Sequence, residues 1–387
     1  LNEWMEYVFS ALIIVLLVSL TLTYFIPVSL NRVTYLSEGQ LQIEAEKIMN
    51  QLLLNPGDPP DWGVSVTSID SLKSFGFALK GADAYSLDIN KLVRVFEPNL
   101  SEFTNLTSIS LNDILNVLGL YGVYGLSIKL TPVLNVSIQK SSDFIYEVYV
   151  KTYDDMPVIN ARIKAIHVNV YVSGNTEITY LEDVVENVYT DYDGKAILNF
   201  TQVDSNGAIG GFLVVYVDFY GLSTVYSFFE GETSFGVIIG NTLYVGHLDE
   251  DFNPQNITTK KVKPNNPGGG AIHLCPAALA VTPKALEPTV LFDGKLLPIT
   301  PQGGARPYYK FELDGLDNDT VALFFVVKNR GSYNICVARR SYNGIEIGLI
   351  DYSRRGLMAR GVHLRRVVSI SGYLYYFDLT LWRLVEG

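Results

Sequence analysis

Hydrophobic and polar positions alternate in three different ways along this chain. From Tyr7 to Leu30 the text is YVFSALIIVLLVSLTLTYFIPVSL, with no Asp, Glu, Lys, Arg or His. An uncharged run of that length predicts a helix that is apolar on every side and long enough to cross bilayer hydrocarbon. At 1.5 Å per residue it covers roughly 36 Å. From Asn31 to Leu54 a period of three to four takes over. Leu41, Ala45, Ile48 and Leu52 form one stripe, flanked by Val33, Leu36 and Ile43, while Glu38, Glu44, Glu46 and Lys47 fall largely between them. This predicts an amphipathic helix with one face to cover. The two parts join into a rod of about 50 residues, roughly 75 Å long. Pro27, which lacks an N–H and crowds the carbonyl of Thr23, predicts a kink, and Gly39 a second soft point.

The rod stops at Asn55-Pro56-Gly57-Asp58-Pro59-Pro60-Asp61-Trp62-Gly63. Asn before Pro leaves the helical region, and the Pro and Gly residues that follow build turns. Ser110 or Asn112 can cap a short helix that runs to Leu118 and ends at Gly119. A strand is expected over Leu126–Gln139. From Phe144 the pattern is period two, with Phe144, Tyr146, Val148 and Val150 on one face. Asp193-Gly194 between two β runs is a hairpin signal. Asn253–Gly270, rich in Pro, Asn, Gly and Lys, reads as a loop. Further strands are expected at Val290–Leu297, Tyr308–Leu313, Val321–Val327, Tyr333–Ala338, Gly344–Ile350, Val367–Ile370 and Tyr373–Leu384. The fold class is therefore α+β: a long N-terminal hydrophobic α-helix followed by a mainly-β head of two or more β-sandwich-like domains. Boundaries fall at 1–55 for the helix, 56–140 for a connecting region, 141–232 for a β-sandwich and 233–387 for a C-terminal β domain.

Size and charge narrow the function. The chain has 387 residues and a net charge of −11, which argues against nucleic acid or an anionic surface as partner. Its two cysteines, Cys275 and Cys336, exclude a cysteine-based zinc site. A bond between them closes a loop of about 60 residues, worth roughly 4 kcal/mol in the chain-entropy model; two separate buried thiols are the alternative. There is no GxGxxG, Walker A, HExxH or GxSxG motif, so no enzyme chemistry and no cofactor are expected. The four histidines, His167, His247, His273 and His363, share no motif. Asp314, Asp317 and Asp319 miss the EF-hand spacing and read as a solvated turn, as do Asp191 and Asp193. Six N-x-S/T sequons stand at Asn99, Asn105, Asn135, Asn199, Asn256 and Asn318; on an exported chain they mark exposed loops and glycosylation sites. Arg354, Arg355, Arg360, Arg365 and Arg366 form a basic cluster that either meets an acidic patch of a second copy or is ordinary solvated surface.

The N-terminus adds a topological oddity. Glu3 and Glu6 precede the apolar run, Arg32 is the first basic residue, and the first residue is Leu1 rather than Met. Orientation in a membrane needs positive charge on the retained side, so removal of a short basic leader is expected. A retained apolar helix, its continuation through LLLNPGDPPDWG, then Phe75-Gly76-Phe77-Ala78, Tyr85-Ser86-Leu87-Asp88, Lys91, Ile114–Leu120, Leu126–Leu130 and the closing Tyr375–Trp382 together resemble archaeal type IV pilin-like filament subunits. The order MPVINARI … TDYDGKAIL resembles immunoglobulin-like or carboxypeptidase-regulatory-like β-sandwiches. The resemblance implies a homopolymeric extracellular filament at the cell surface, with adhesion and a glycosylated outer sheath. It implies residence in the membrane before assembly, and a prepilin-type peptidase and assembly machinery as partners. The filament core would comprise Glu6, Val8, Leu12, Ile13, Val15, Leu17, Leu20, Leu22, Phe25 and Pro27. Glu6 either pairs with the N-terminal amine of a neighbouring copy or sits at the membrane interface. The competing expectation is a monomeric surface protein or adhesin tethered by one transmembrane helix.

Overall fold

The computed structural model of the chain describes residues 7, 12–19, 21, 26–97, 100, 106, 108–173, 177–200, 207–229, 234–245, 273–281, 289–290, 297–298, 309–313, 316, 320, 322–329, 332–339, 345–348 and 361–384. Helix α1 (Ile26–Leu54) is followed by the short α2 (Trp62–Ser65), strand β1 (Ser86–Leu87), α3 (Ile89–Phe96) and α4 (Leu111–Val117). Nine strands come next: β2 (Tyr124–Pro132), β3 (Leu134–Ser142), β4 (Ile145–Thr152), β5 (Arg162–Ser173), β6 (Glu177–Tyr189), β7 (Lys195–Asn199), β8 (Ala208–Phe219), β9 (Leu222–Phe229) and β10 (Ser234–Ile239). Then follow β11 (Thr242–Val245), β12 (His273–Val281), β13 (Thr289–Val290), β14 (Leu297–Pro298), β15 (Tyr309–Glu312), β16 (Ala322–Asn329) and β17 (Ser332–Arg339). The last three are β18 (Ile345–Gly348), β19 (Gly361–Ile370) and β20 (Tyr373–Arg383).

Two expectations are corrected here. The described residues are mainly β, 51% strand and 22% helix, and do not form an α+β pilin headed by a long hydrophobic helix. Among the described residues no helix is long and apolar enough to cross a membrane, against the expected transmembrane helix and the expected membrane stage before assembly. The physical reason lies in where the charges fall. A span needs about 20 apolar residues without charge; α1 has the length but carries Arg32, Glu38, Glu44, Glu46 and Lys47.

The outer end of α1 lies on a five-stranded sheet of order β1-β19-β20-β2-β18. Ala45, Ile48, Met49, Leu52 and Leu53 are buried on it, against Leu126, Ile128 and Leu130 of β2 and Phe377, Leu379 and Leu381 of β20. Ile43, off the stripe, is exposed. The last strand is therefore central: β20 pairs with β2 along its whole length and with β19 on its other side.

A three-stranded sheet, β3-β4-β7, faces a four-stranded one, β6-β5-β8-β9, and Val136, Val148, Val150, Ile163, Ala165, Leu198, Leu213, Val215 and Val217 fill the space between. The four-stranded sheet is buried on its other face as well. There Ile166, Val168, Val170, Phe212 and Val214 join the main core, and Phe212 stacks on Phe324 of β16 at 3.7 Å between ring centroids. A strand covered on both sides loses its alternation, which is why residues 165–170 are continuously buried. An eight-stranded sheet of order β13-β12-β16-β17-β10-β11-β15, with β14 also on β12, supplies that second cover.

Local signals behave as their chemistry requires, with one exception. Ser110 caps α4 in a capping box with Asp113. Asp193-Gly194 does turn the chain, closed by Asp191 Oδ1, which accepts from the N–H groups of Asp193 and Lys195, both at 2.9 Å. The strands on either side nevertheless part: β6 pairs with β5 and β7 with β4. The turn is a crossing between sheets rather than a hairpin.

Candidate functional site

Residues 12–19 form two turns of helix in which every residue is exposed. Leu12, Ile13, Ile14, Val15, Leu16, Leu17 and Val18 are each between 52% and 68% exposed. At 100° per residue these seven positions cover the whole circumference. Ser19 follows them, and the Thr21 hydroxyl is turned inward, donating to the Leu17 carbonyl at 2.8 Å, the back-bond available to Thr in a helix. Complete burial of a large aliphatic side chain contributes about 1.5–3 kcal/mol, so covering the half of these seven still in water amounts to the order of 10 kcal/mol. Of the expected core residues, Leu12, Ile13, Val15 and Leu17 lie in this surface. Pro27 lies within α1. Glu6, Val8, Leu20, Leu22 and Phe25 lie outside the described residues.

The far end of α1 is locked to the body by a collar of buried polar groups. Lys91 and Arg94 of α3 are almost fully buried. The Lys91 ammonium donates to the Pro56 carbonyl at 2.9 Å and the Ala78 carbonyl at 2.7 Å, with Asp88 at 3.7 Å. Burial pushes its pKa down against the opposing pull of Asp88. Arg94 donates to the carbonyls of Val66 at 2.8 Å and Gly63 at 3.3 Å, and burial lowers its pKa too. Trp62 packs on Phe75 and Phe77 and donates Nε1–H to the Gly76 carbonyl at 3.0 Å. Gly76 admits no side chain: a Cβ there would sit 2.0 Å from the Asn55 carbonyl oxygen at the end of α1. The turn-rich segment after α1 is thus held by cations that accept no bonds but donate several. Sequence reasoning named Lys91 only within the resemblance, with no role, and missed Arg94. In INKLVRVF they look like an ordinary polar face, and nothing local announces that backbone carbonyls from residues 56–78 converge on them.

The remaining expected sites are scattered. Asn135 and Asn199 are exposed on β3 and β7; Asn99, Asn105, Asn256 and Asn318 lie outside the described residues, as do Asp314, Asp317, Asp319, Arg354, Arg355 and Arg360. Among the described residues no cluster of potential metal ligands occurs. Arg365 is not spare surface charge. It grips the buried Asp378 with Nε at 2.6 Å and Nη2 at 3.1 Å and lies over the rings of Tyr153 and Tyr376. The Cys275–Cys336 bond is not formed: Cys336 is a free buried thiol, pushed up to about 12 by burial. Cys275 of β12 sits opposite Val326 and Cys336 of β17 opposite Phe325, with β16 between them. Two strand spacings put their backbones roughly 10 Å apart, beyond the ~7 Å that a disulfide tolerates.

No family model and no curated protein matches the chain. Among solved structures it is similar to an I-band fragment of titin, at 9% identity, covering 68% of this chain and 89% of that one with a TM-score of 0.12. A likeness that faint carries no argument.

Proposed function

We propose that the protein is a structural subunit of a homopolymeric filament, held together by its N-terminal apolar helical segment, with the β-rich body as an outer layer. The observation that carries this is the exposure of residues 12–18 on every side of the helix. A partner with a single groove covers one stripe of a helix and leaves the rest wet. A bundle of like helices covers all of it, because each copy brings the same surface. If neighbouring copies are also offset along the axis, the contact is heterologous and grows without closing. Exposed Asn135 and Asn199 are the described positions where sugar on the outer layer would attach.

The test is Leu16→Arg, examined by negative-stain microscopy and sedimentation velocity in aqueous buffer. The unaltered chain should form fibres of variable length, and the variant should be a folded monomer, since Leu16 touches none of the body's core. Fibres from the variant, or a wild-type chain that remains monomeric, would overturn the reading. A closed oligomer of fixed size would remove the filament while leaving the helix as the contact.

A further inference from the structure

We propose that the open end of the β3-β4-β7 / β6-β5-β8-β9 sandwich is a binding pocket for a neutral sugar ring of the hexopyranose class. It depends on the sandwich alone and not on assembly of the chain. The pocket arises from one missing side chain. Along β8 the residues facing the three-stranded sheet are Val217, Val215 and Leu213, all core. The next position of that face is Gly211. It lies opposite Asn169 of β5, and a Cβ at Gly211 would come within 2.8 Å of the Asn169 Oδ1. Glycine there leaves a cavity of about 260 Å³, lined also by Ala208 and Gly210.

What surrounds the space is chemically mixed. Asn169 is 5% exposed, and its Nδ2 has no hydrogen-bond partner among the described residues. A buried amide donor left in that condition is costly unless something else accepts from it. The wall is aromatic: the His167 ring lies 5.9 Å from that of Phe144 and 5.8 Å from that of Tyr146, and all three line the cavity. At the mouth Lys140 Nζ pairs with Asp143 Oδ1 at 3.1 Å.

These features select a ligand. A 150 Å³ cavity takes benzene, so this one takes a molecule of roughly twice that many non-hydrogen atoms, the size of one hexose. The rim pair cancels in charge, which favours a neutral ligand over an anion or a cation. The aromatic wall offers a flat apolar surface for the C–H face of a pyranose. Asn169 donates from within, Lys140 donates at the rim and Asp143 accepts, matching hydroxyls that do both. A few convergent polar groups beside an aromatic wall in a concave cleft fit the make-up of a small-molecule site.

The experiment is a titration of the full-length chain with the methyl glycosides of glucose, galactose and mannose, and with glucuronate as the charged comparator. Saturation-transfer NMR and calorimetry read the binding. At least one neutral glycoside should bind with a dissociation constant in the millimolar range, typical of so small a ligand. Ala208→Phe, which fills the space from the edge, should abolish binding, and Asn169→Ala should weaken it about tenfold. Near-UV circular dichroism checks that each variant keeps the native fold; should Ala208→Phe lose it, Asn169→Ala decides. The Leu16→Arg chain should bind as the unaltered one does, so failure of assembly and failure of the pocket are read separately. No saturable binding of any neutral glycoside, preference for glucuronate, or binding unchanged in Asn169→Ala would overturn the proposal.

Discussion

Lys91 shows what a single side chain can hold together. Its ammonium, with no exposed surface, ties the chain after α1 to α3 through the carbonyls of Pro56 and Ala78. A methionine of similar length would fill the space and leave two buried acceptors bare. At about 1–3 kcal/mol for each orphaned group, Lys91→Met should lose about 2–4 kcal/mol in urea unfolding. The pH dependence has a definite sign. Burial lowers the pKa of Lys91 in the folded state below its ordinary 10.5. The cost of burying the charge is therefore complete below the folded value, and it is relieved as pH rises from there towards 10.5. The urea midpoint of the unaltered chain should gain on that of Lys91→Met between pH 7 and pH 10. A gap that narrows over this window would show that Asp88 and the two carbonyls outweigh burial and raise the pKa of Lys91 instead.

At the scale of elements, α1 and the β19–β20 hairpin illustrate two ways of fastening. The stripe Ala45, Ile48, Met49, Leu52 fastens α1 by packing alone. The hairpin adds a charge-assisted fork, with Arg365 giving two hydrogen bonds to the buried Asp378 across the strands and His363 Nε2 3.2 Å from the same carboxylate. Bidentate bonds to a carboxylate are among the stronger ones, though the Arg365 side chain is 36% exposed and its contribution is screened. Arg365→Met should cost about 1–2 kcal/mol in thermal or urea unfolding, with assembly untouched. Loss of assembly in that variant, at unchanged stability, would return Arg365 to the contact between copies that its neighbours in sequence suggested.

For the whole molecule the telling feature is how far apart in sequence its neighbours lie. β2 at residues 124–132 pairs with β20 at 373–383, β1 runs parallel to β19, and the Asn90 side chain accepts from the Gly240 N–H at 2.7 Å. The sandwich shares its outer face with the eight-stranded sheet. The body is consequently one knitted mass, while the described residues before α1 add nothing to its core. Removing residues 1–25 should leave the melting temperature of the body within about 2 °C of the intact chain and abolish assembly, as read by calorimetry and sedimentation. A large drop in melting temperature would mean that the apolar segment folds back on its own body.

Periodicity carries information over a few residues, and what depends on a few residues was readable from the text. The stripe from Leu41 to Leu52, the cap at Ser110, the stop at Asn55-Pro56 and the all-round apolarity of residues 12–18 each follow from side chains within one or two turns of one another. The greater part was settled elsewhere. Asp193-Gly194 makes the same turn whether the next strand returns or crosses, and only the pairing of β7 with β4 chose. The same is true of Lys91 and Arg94, whose partners come from residues 56–78, and of Cys275 and Cys336, kept apart by a strand from between them in the sequence. The pocket at Gly211 depends on register: one glycine falls opposite Asn169 on the inner face of a sandwich. Local sequence can specify backbone conformation because its interactions are local. Which faces meet, and which buried polar groups find partners, is decided by the summed burial of surfaces far apart along the chain.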